Sequence, residues 1–260
     1  MVVLYVAFTN NIYKQNKLKI KKKHIMKQLV KTADPTSLPT ANYDRVIYNS
    51  ETDNVIIKGA NANGHPYVDL GLPSGLKWAK YNVGATSETQ YGKFFQWGET
   101  EQHDNGIPYD WANYKYYNST SGTVTKYKYG ENADYKATLE LGDDAARANM
   151  GGDWRMPTQA DFKELLNNTD HAWVKNFNNS NVNGYTFTSR KNTNNYIFIP
   201  ASKYNEDIST YVRPISYHIW SSSVNTTASD YAWALDFYSD SISAEHDFER
   251  CDGMAVRGVL

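Results

Sequence analysis

Cysteine is nearly absent: Cys251 is the only one in 260 residues. No disulfide can form within the chain and no cysteine-based zinc site can assemble, so the core must hold without covalent staples. Also missing is any apolar run near the roughly 20 residues that span a bilayer. Neither sign of charge is in excess, with 27 Lys and Arg against 28 Asp and Glu. The basic residues do not gather on the globular part, so the electrostatic footprint of a nucleic-acid binder is lacking. Membrane insertion and binding to DNA or RNA are therefore not expected. The opening MVVLYVAF has no charged region before it and no small-residue cleavage site after it, which gives no support to export by the general pathway.

One absence is local. Asn is abundant up to Asn225, yet from Thr226 to Leu260 there is no Asn, Lys or Gln, while Asp, Ser, Tyr, His and the single Cys crowd in. Within that stretch Trp233, Leu235 and Phe237 alternate with Ala234, Asp236 and Tyr238, the period of a half-buried strand. One face can anchor in a core while the other varies. The expected outward set is Tyr217, His218, Asp230, Tyr231, Asp236, Tyr238, Asp240, Glu245, His246, Asp247, Glu249, Arg250 and Asp252. It mixes aromatic anchors with adaptable polar groups, the chemistry of a paratope. Leu235, Phe237, Ile242 and Val256 are the fixed apolar positions beneath it.

The rest of the chain divides into three. Residues 1–25 are rich in Ile, Lys and Asn and read as a disordered basic arm, or as sequence upstream of a natural start at Met26. Residues 26–64 form a Pro-punctuated attachment segment, with apolar pulses at Arg45 to Tyr48 and Val55 to Lys58 that suit a small hairpin, and with GANANG (59–64) as a flexible joint. Residues 65–260 are dense and mostly β. Strands are expected at PYVDL, LKWAKYNV, YGKFFQWGE, YTFTS and NYIFIPAS, and 103–134 reads as an inserted, Tyr-rich surface loop. DDAARANM (143–150) predicts a short helix ended by Gly151 and Gly152. In a second helix, Thr158 and Asp161 fit a capping box, and Phe162, Leu165 and Leu166 form its buried stripe.

Catalytic chemistry finds little footing. His24, His65, His103, His171, His218 and His246 show no metal-ligand spacing. Glu99 and Glu101 could share a strand face as a carboxylate pair for glycoside hydrolysis, but Glu99 belongs to a WGET motif that reads as scaffold. Ser221, Ser222 and Ser223 lack an elbow glycine and a base. The aspartates of the C-terminal stretch have none of the regularity of a calcium loop. No metal or cofactor is expected, and the chain does not read as an enzyme.

GLPSGLKWAKYNVGA, FFQWGET, DDAARANMGGDWRMPT, IWSSS and VRGV resemble, in order and spacing, the Fibrobacter succinogenes major paralogous domain family, found in gut Bacteroidetes and their phages. The resemblance covers roughly 65–260. It implies an α+β fold of the C-type lectin-like, formylglycine-generating-enzyme type, mostly antiparallel β with two short helices and long loops. It further implies that Trp154, Pro157 and Trp220 are scaffold and that Arg257 closes the core. Relatives that oxidise a sulfatase cysteine use active-site cysteines, and calcium-dependent sugar lectins use an acid-Pro-Asn loop with a Trp-Asn-Asp strand. This chain has neither set, so neither activity is implied.

A related use of the fold is the variable protein of diversity-generating retroelements, in which adenines in C-terminal codons are scrambled. The Asn-free stretch matches that pattern. By this resemblance the chain is a ligand-binding adhesin, a phage tail-fibre or receptor-binding protein whose receptor is a bacterial surface protein or glycan. Virion or fibre subunits would bind through 26–64, a homotrimer would suit a fibre tip, and the location would be the virion. A bacterial cell-surface binding protein of the same fold is the alternative, and a carboxylate-based glycoside hydrolase the distant third.

Overall fold

The computed structural model describes the backbone of residues 45–49 and 54–58, and residues 61–104, 106–201 and 214–260, the last of these with side chains from His218 onward. The arm and most of the attachment segment expected before Asn61 lie outside the described residues. The chain divides into two units, Met1–Ala60 and Asn61–Leu260. In the first, β1 (Arg45–Asn49) and β2 (Asn54–Lys58) pair antiparallel, with Ile47 opposite Ile56.

The second unit starts with a tight hairpin. β3 (Asn61–Ala62) and β4 (His65–Asp69) pair around Asn63 and Gly64, whose φ values of 50° and 82° are those of a two-residue hairpin turn. Residues 61–64 of the expected joint therefore form a hairpin turn, and Gly59 and Ala60 lie outside the described residues. The Asn63 side-chain amide donates to the Met150 carbonyl, and Trp154 Nε1 donates to the Ala62 carbonyl over 3.0 Å. β5 (Lys77–Asn82) continues the same sheet.

Between Tyr91 and Glu99 the expected strand shrinks to β6 (Phe94–Phe95), because the chain turns at Gln96 to Glu99. The insertion contributes the small pair β7 (Tyr117–Asn118) and β8 (Thr123–Val124). It is more than a surface loop, since Tyr114, Val124 and Tyr127 are buried.

Two helices follow. α1 (Ala145–Met150) starts at Asp144, whose carboxylate caps Arg147 N–H, and ends at Gly151 with φ 66°. α2 (Gln159–Asn168) starts with the Thr158–Asp161 capping box and buries Phe162 and Leu165. Leu166 packs only partly against the same core. Among the described residues no helix is long and apolar enough to cross a membrane.

Then come β9 (Thr169–Val174), β10 (Asn183–Ser189), β11 (Tyr196–Ala201), β12 (Pro214–Val224), β13 (Tyr231–Phe237), β14 (Ile242–Glu249), β15 (Gly253–Ala255) and β16 (Arg257–Val259). They form a three-stranded sheet β11-β10-β9, a five-stranded sheet β14-β13-β12-β15-β6, and a four-stranded sheet β16-β5-β4-β3. Among the described residues every pairing is antiparallel except β12 with β15. The architecture is α+β and mostly antiparallel β, with two short helices.

The main core joins the layers: Trp78, Phe162, Phe187, Ile197, Leu235, Phe237 and Val259 meet in one cluster. Trp154, Pro157 and Trp220 are all buried. Arg257 is buried as well, with its guanidinium donating to Asn82 Oδ1 and to the carbonyls of Ala79, Lys80 and Phe198. No carboxylate is among those acceptors; burial pushes the group down to about 9, and four oxygens hold its protons in place.

Candidate functional site

The C-terminal stretch folds as a hairpin, β13 with β14, in which β13 is largely locked while β14 and the flanking turns keep exposed side chains. In β13, Leu235 and Phe237 enter the core as the alternation predicts, while Trp233 is only half-buried. The opposite face is not free, because Ala232, Ala234 and Asp236 are buried too. At Asp236 that side meets His218 from β12 and His246 from β14, the strands that flank β13 in the sheet. The half-buried-strand expectation is corrected there.

Of the expected outward set, Asp230, Tyr238, Asp240, Glu245, His246 and Glu249 are exposed, and Tyr231, Asp247 and Asp252 are half-buried. His218, Asp236 and Arg250 are buried, contrary to the sequence reading. Tyr217 lies in β12 with its side chain outside the described residues. The members lie at both ends of the hairpin and, through Glu245 and His246, midway along β14. Tyr231 sits opposite Glu249, and Trp233 opposite Asp247, at one end of the hairpin. Tyr238 and Asp240 lie at the other end, roughly 20 Å away along a strand. Tyr231 Oη donates to Glu249 Oε1 over 3.4 Å, and the Glu249 charge pushes that phenol's pKa up. Asn225 Nδ2 donates to Asp247 Oδ2 over 2.6 Å, and Lys163 pairs with Glu245 at 3.1 Å.

His218 and Asp236 face each other because β12 and β13 pair them in register. His218 Nε2 lies 2.7 Å from Asp236 Oδ1, at ion-pair distance but off the line of a good hydrogen bond. His246, on β14, contacts the other carboxylate oxygen through Nδ1. The Phe248 ring covers His218 at 4.1 Å between centroids. Burial pushes the Asp236 carboxyl up, but the two imidazoles outweigh it and hold it below its ordinary value.

Arg250 is buried for a different reason. Its guanidinium lies over the rings of Trp97 at 4.6 Å and Tyr114 at 5.3 Å, with Tyr127 and Tyr116 at 5.9 and 6.0 Å. Nε donates to Tyr114 Oη over 2.8 Å, and Nη1 to the carbonyls of Lys126 (3.1 Å) and Ser229 (2.7 Å). Burial depresses its proton affinity, and the rings and oxygens oppose that. The side chain thereby ties the insertion to the 225–230 turn.

Between those two segments opens a cleft of about 650 Å³, which the sequence reading did not identify. Trp111, Tyr117 and Tyr129 line one side, and Thr226 to Asp230 the other. The only signal in the sequence was the Tyr-rich length of the insertion.

The remaining chemical candidates stay isolated. Burial pushes the Glu99 carboxyl up, against the pull of His103 at 3.0 Å, and the His103 ring stacks on Tyr109. Glu101 is exposed. Ser221 Oγ donates to the Trp233 carbonyl over 2.7 Å, and Ser222 Oγ to the Pro157 carbonyl. Glu249, Cys251 and Asp252 bring three potential metal donors within 4.8 Å of one another, but burial pushes the Cys251 thiol well up, against the thiolate a metal needs. Comparison of the chain with family models, with curated proteins and with solved structures gives no match in any of the three.

Proposed function

We propose that this chain is a recognition module of the C-type lectin-like fold, serving as the receptor-binding part of a phage tail fibre and contacting a bacterial surface molecule with its C-terminal hairpin. The observation that carries the reading is the division within β13–β14. Ala232, Ala234, Leu235 and Phe237 are locked, while Tyr238, Asp240 and Glu249 at the ends, and Glu245 midway along β14, are exposed. Residues of the kind that codon scrambling produces can then change at the ends without disturbing the packing between them.

Aromatic and charged groups together suit such a surface. Tyr238 offers a large rigid contact, and Asp240, Glu245 and Glu249 offer acceptors that adapt to a partner's donors. Several copies on one particle would raise a weak single contact to firm attachment. Residues 26–64 supply the link to fibre subunits.

The reading is tested at the native gene. A near-copy of the segment coding Tyr217 to Leu260, differing at adenines and beside a reverse transcriptase, is the expected finding. A locus with no such copy would remove the diversified surface from the proposal.

A further inference from the structure

The cleft between the insertion and the 225–230 turn, next to the Tyr231 end of the hairpin, has the make-up of a ligand site. Its volume of about 650 Å³ lies in the range of small-molecule sites. Trp111 and Tyr117 stand with ring centroids 5.0 Å apart and planes tilted by 41°, so two half-buried aromatic faces meet in its wall. Neither is loose. Trp111 abuts Tyr114 edge-on at 5.6 Å, and Tyr114 is buried with its hydroxyl donating to the Trp97 carbonyl over 2.7 Å.

The opposite wall is tied to the same frame. Ser229 Oγ accepts from Tyr129 N–H over 2.8 Å, and the Ser229 carbonyl accepts from Arg250 Nη1. The walls are therefore held at a fixed separation before any ligand arrives, which lowers the ordering cost of binding. Gly130, in the lining with φ 98°, has nothing within 4 Å of where a Cβ would stand, so the cleft stays open there.

The polar lining is short-range and nearly neutral. Among the described residues it holds one cation, Lys128, one anion, Asp230, and hydroxyls from Thr123, Thr226, Thr227 and Ser229. A phosphate-bearing ligand would meet a single amine opposed by a carboxylate. A pyranose ring fits better, because its C–H face can lie on an indole or phenol while its hydroxyl edge meets hydroxyls, an amine and a carboxylate.

We infer that this cleft binds a neutral saccharide, with Trp111 and Tyr117 as the stacking surfaces and Asp230 and Thr227 as hydrogen-bonding partners. Asp230 and Thr227 belong to the same C-terminal stretch, but the inference rests on the geometry of the cleft and not on the recognition proposed for the hairpin.

The test is an NMR titration of the full chain, labelled with nitrogen-15, using maltose, lactose and chitobiose, with adenosine monophosphate as the contrasting probe. Saturable shifts at the Trp111 indole N–H and at the Gly130 and Thr227 amides are expected with at least one of the sugars. Trp111→Ala should weaken binding by about tenfold or more, the effect of losing one stacked aromatic. Because Trp111 also packs on Tyr114, exposed Thr227→Lys provides a second variant that obstructs the cleft without touching the core. No shift at these positions with any sugar, unchanged sugar binding in Thr227→Lys, or a preference for adenosine monophosphate would each overturn the inference. Attachment to bacterial cells is read separately. Cell binding without sugar shifts defeats only the saccharide cleft, and sugar shifts without cell binding defeat only the receptor reading.

Discussion

Arg250 and Trp97 are stacked in the protein interior, with the guanidinium carbon 4.6 Å from the indole centroid and no carboxylate among the oxygens that accept from it. A charge in that position is held by ring faces, one phenol oxygen and two carbonyls, all fixed in direction. Arg250→Lys keeps the charge but cannot reach three separate acceptors, because an ammonium is a point donor on a flexible stem. Arg250→Ala leaves those oxygens buried without donors. The expected loss for the alanine variant is about 3 kcal/mol or more, a fall in Tm on the order of 10 °C, with the lysine variant in between. Thermal unfolding followed by circular dichroism checks this, and an unchanged Tm for Arg250→Ala would mean that the cage is not structural.

Asp236 sets a pH dependence of known sign. Its folded-state carboxyl is held below its ordinary value by His218 and His246, which outweigh burial. A depressed carboxyl contributes stability that is present above the unfolded value, about 3.9, and is lost as pH falls through the folded one. Asp236→Asn removes that contribution with little change of shape. It should lower stability at pH 7 by about 2 kcal/mol. Urea unfolding at pH 7 and pH 3 gives the answer: the variant should be weaker at pH 7, with the gap closing at pH 3. Equal midpoints at pH 7 would show that the imidazoles do not depend on the carboxylate.

Asp143 lies behind the Arg250 cage. It accepts from Tyr127 Oη over 2.6 Å and pairs with Lys115 at 3.2 Å and with Lys126. Burial raises its carboxyl, but the lysine and tyrosine donors prevail and hold it far below the ordinary carboxylate range. The sign is the same as for Asp236, with stability present above about pH 4 and lost below it. Asp143→Asn should cost about 2 kcal/mol at neutral pH and loosen the insertion first, since Tyr127 belongs to both networks. Hydrogen exchange checks the second point, with faster exchange expected at Tyr127 and Thr125 than in β10. A uniform change across the domain would contradict the assignment.

How much of this was legible beforehand depends on how local each cause is. The capping box of α2 and its Phe162–Leu165 stripe were readable because both lie within one helical turn or two. The alternation of Leu235 and Phe237 was readable for the same reason. Asn63-Gly64 carried a hairpin signal that was masked by the surrounding Gly and Asn, which read as looseness. Arg250 was misplaced because its environment comes from Tyr114, 136 positions away, and a charged residue with no nearby apolar pattern reads as exposed. His218 and Asp236 are buried through strand register, which a single strand's pattern does not reveal. The cleft needed two distant segments brought together by Arg250, and neither segment has a period of its own.

The separation of a variable surface from a fixed scaffold makes the sharpest contrast between two substitutions. Tyr238 is 46% exposed at the end of β13, so Tyr238→Ala removes little packing and should change stability by about 0.5 kcal/mol or less. If the hairpin end recognises a receptor, the same change should weaken attachment to host cells by about tenfold, as loss of an aromatic anchor does. Trp154 is fully buried, and its indole N–H holds the Ala62 carbonyl while the ring packs against Gly258, where even a methyl group would come within 3.0 Å of it. Trp154→Ala should cost about 3–5 kcal/mol and abolish attachment only because the domain opens. Measuring Tm and cell binding on both variants separates the roles. A Tyr238→Ala protein that unfolds, or a Trp154→Ala protein that keeps its Tm, would reverse the division of surface and scaffold on which the recognition proposal rests.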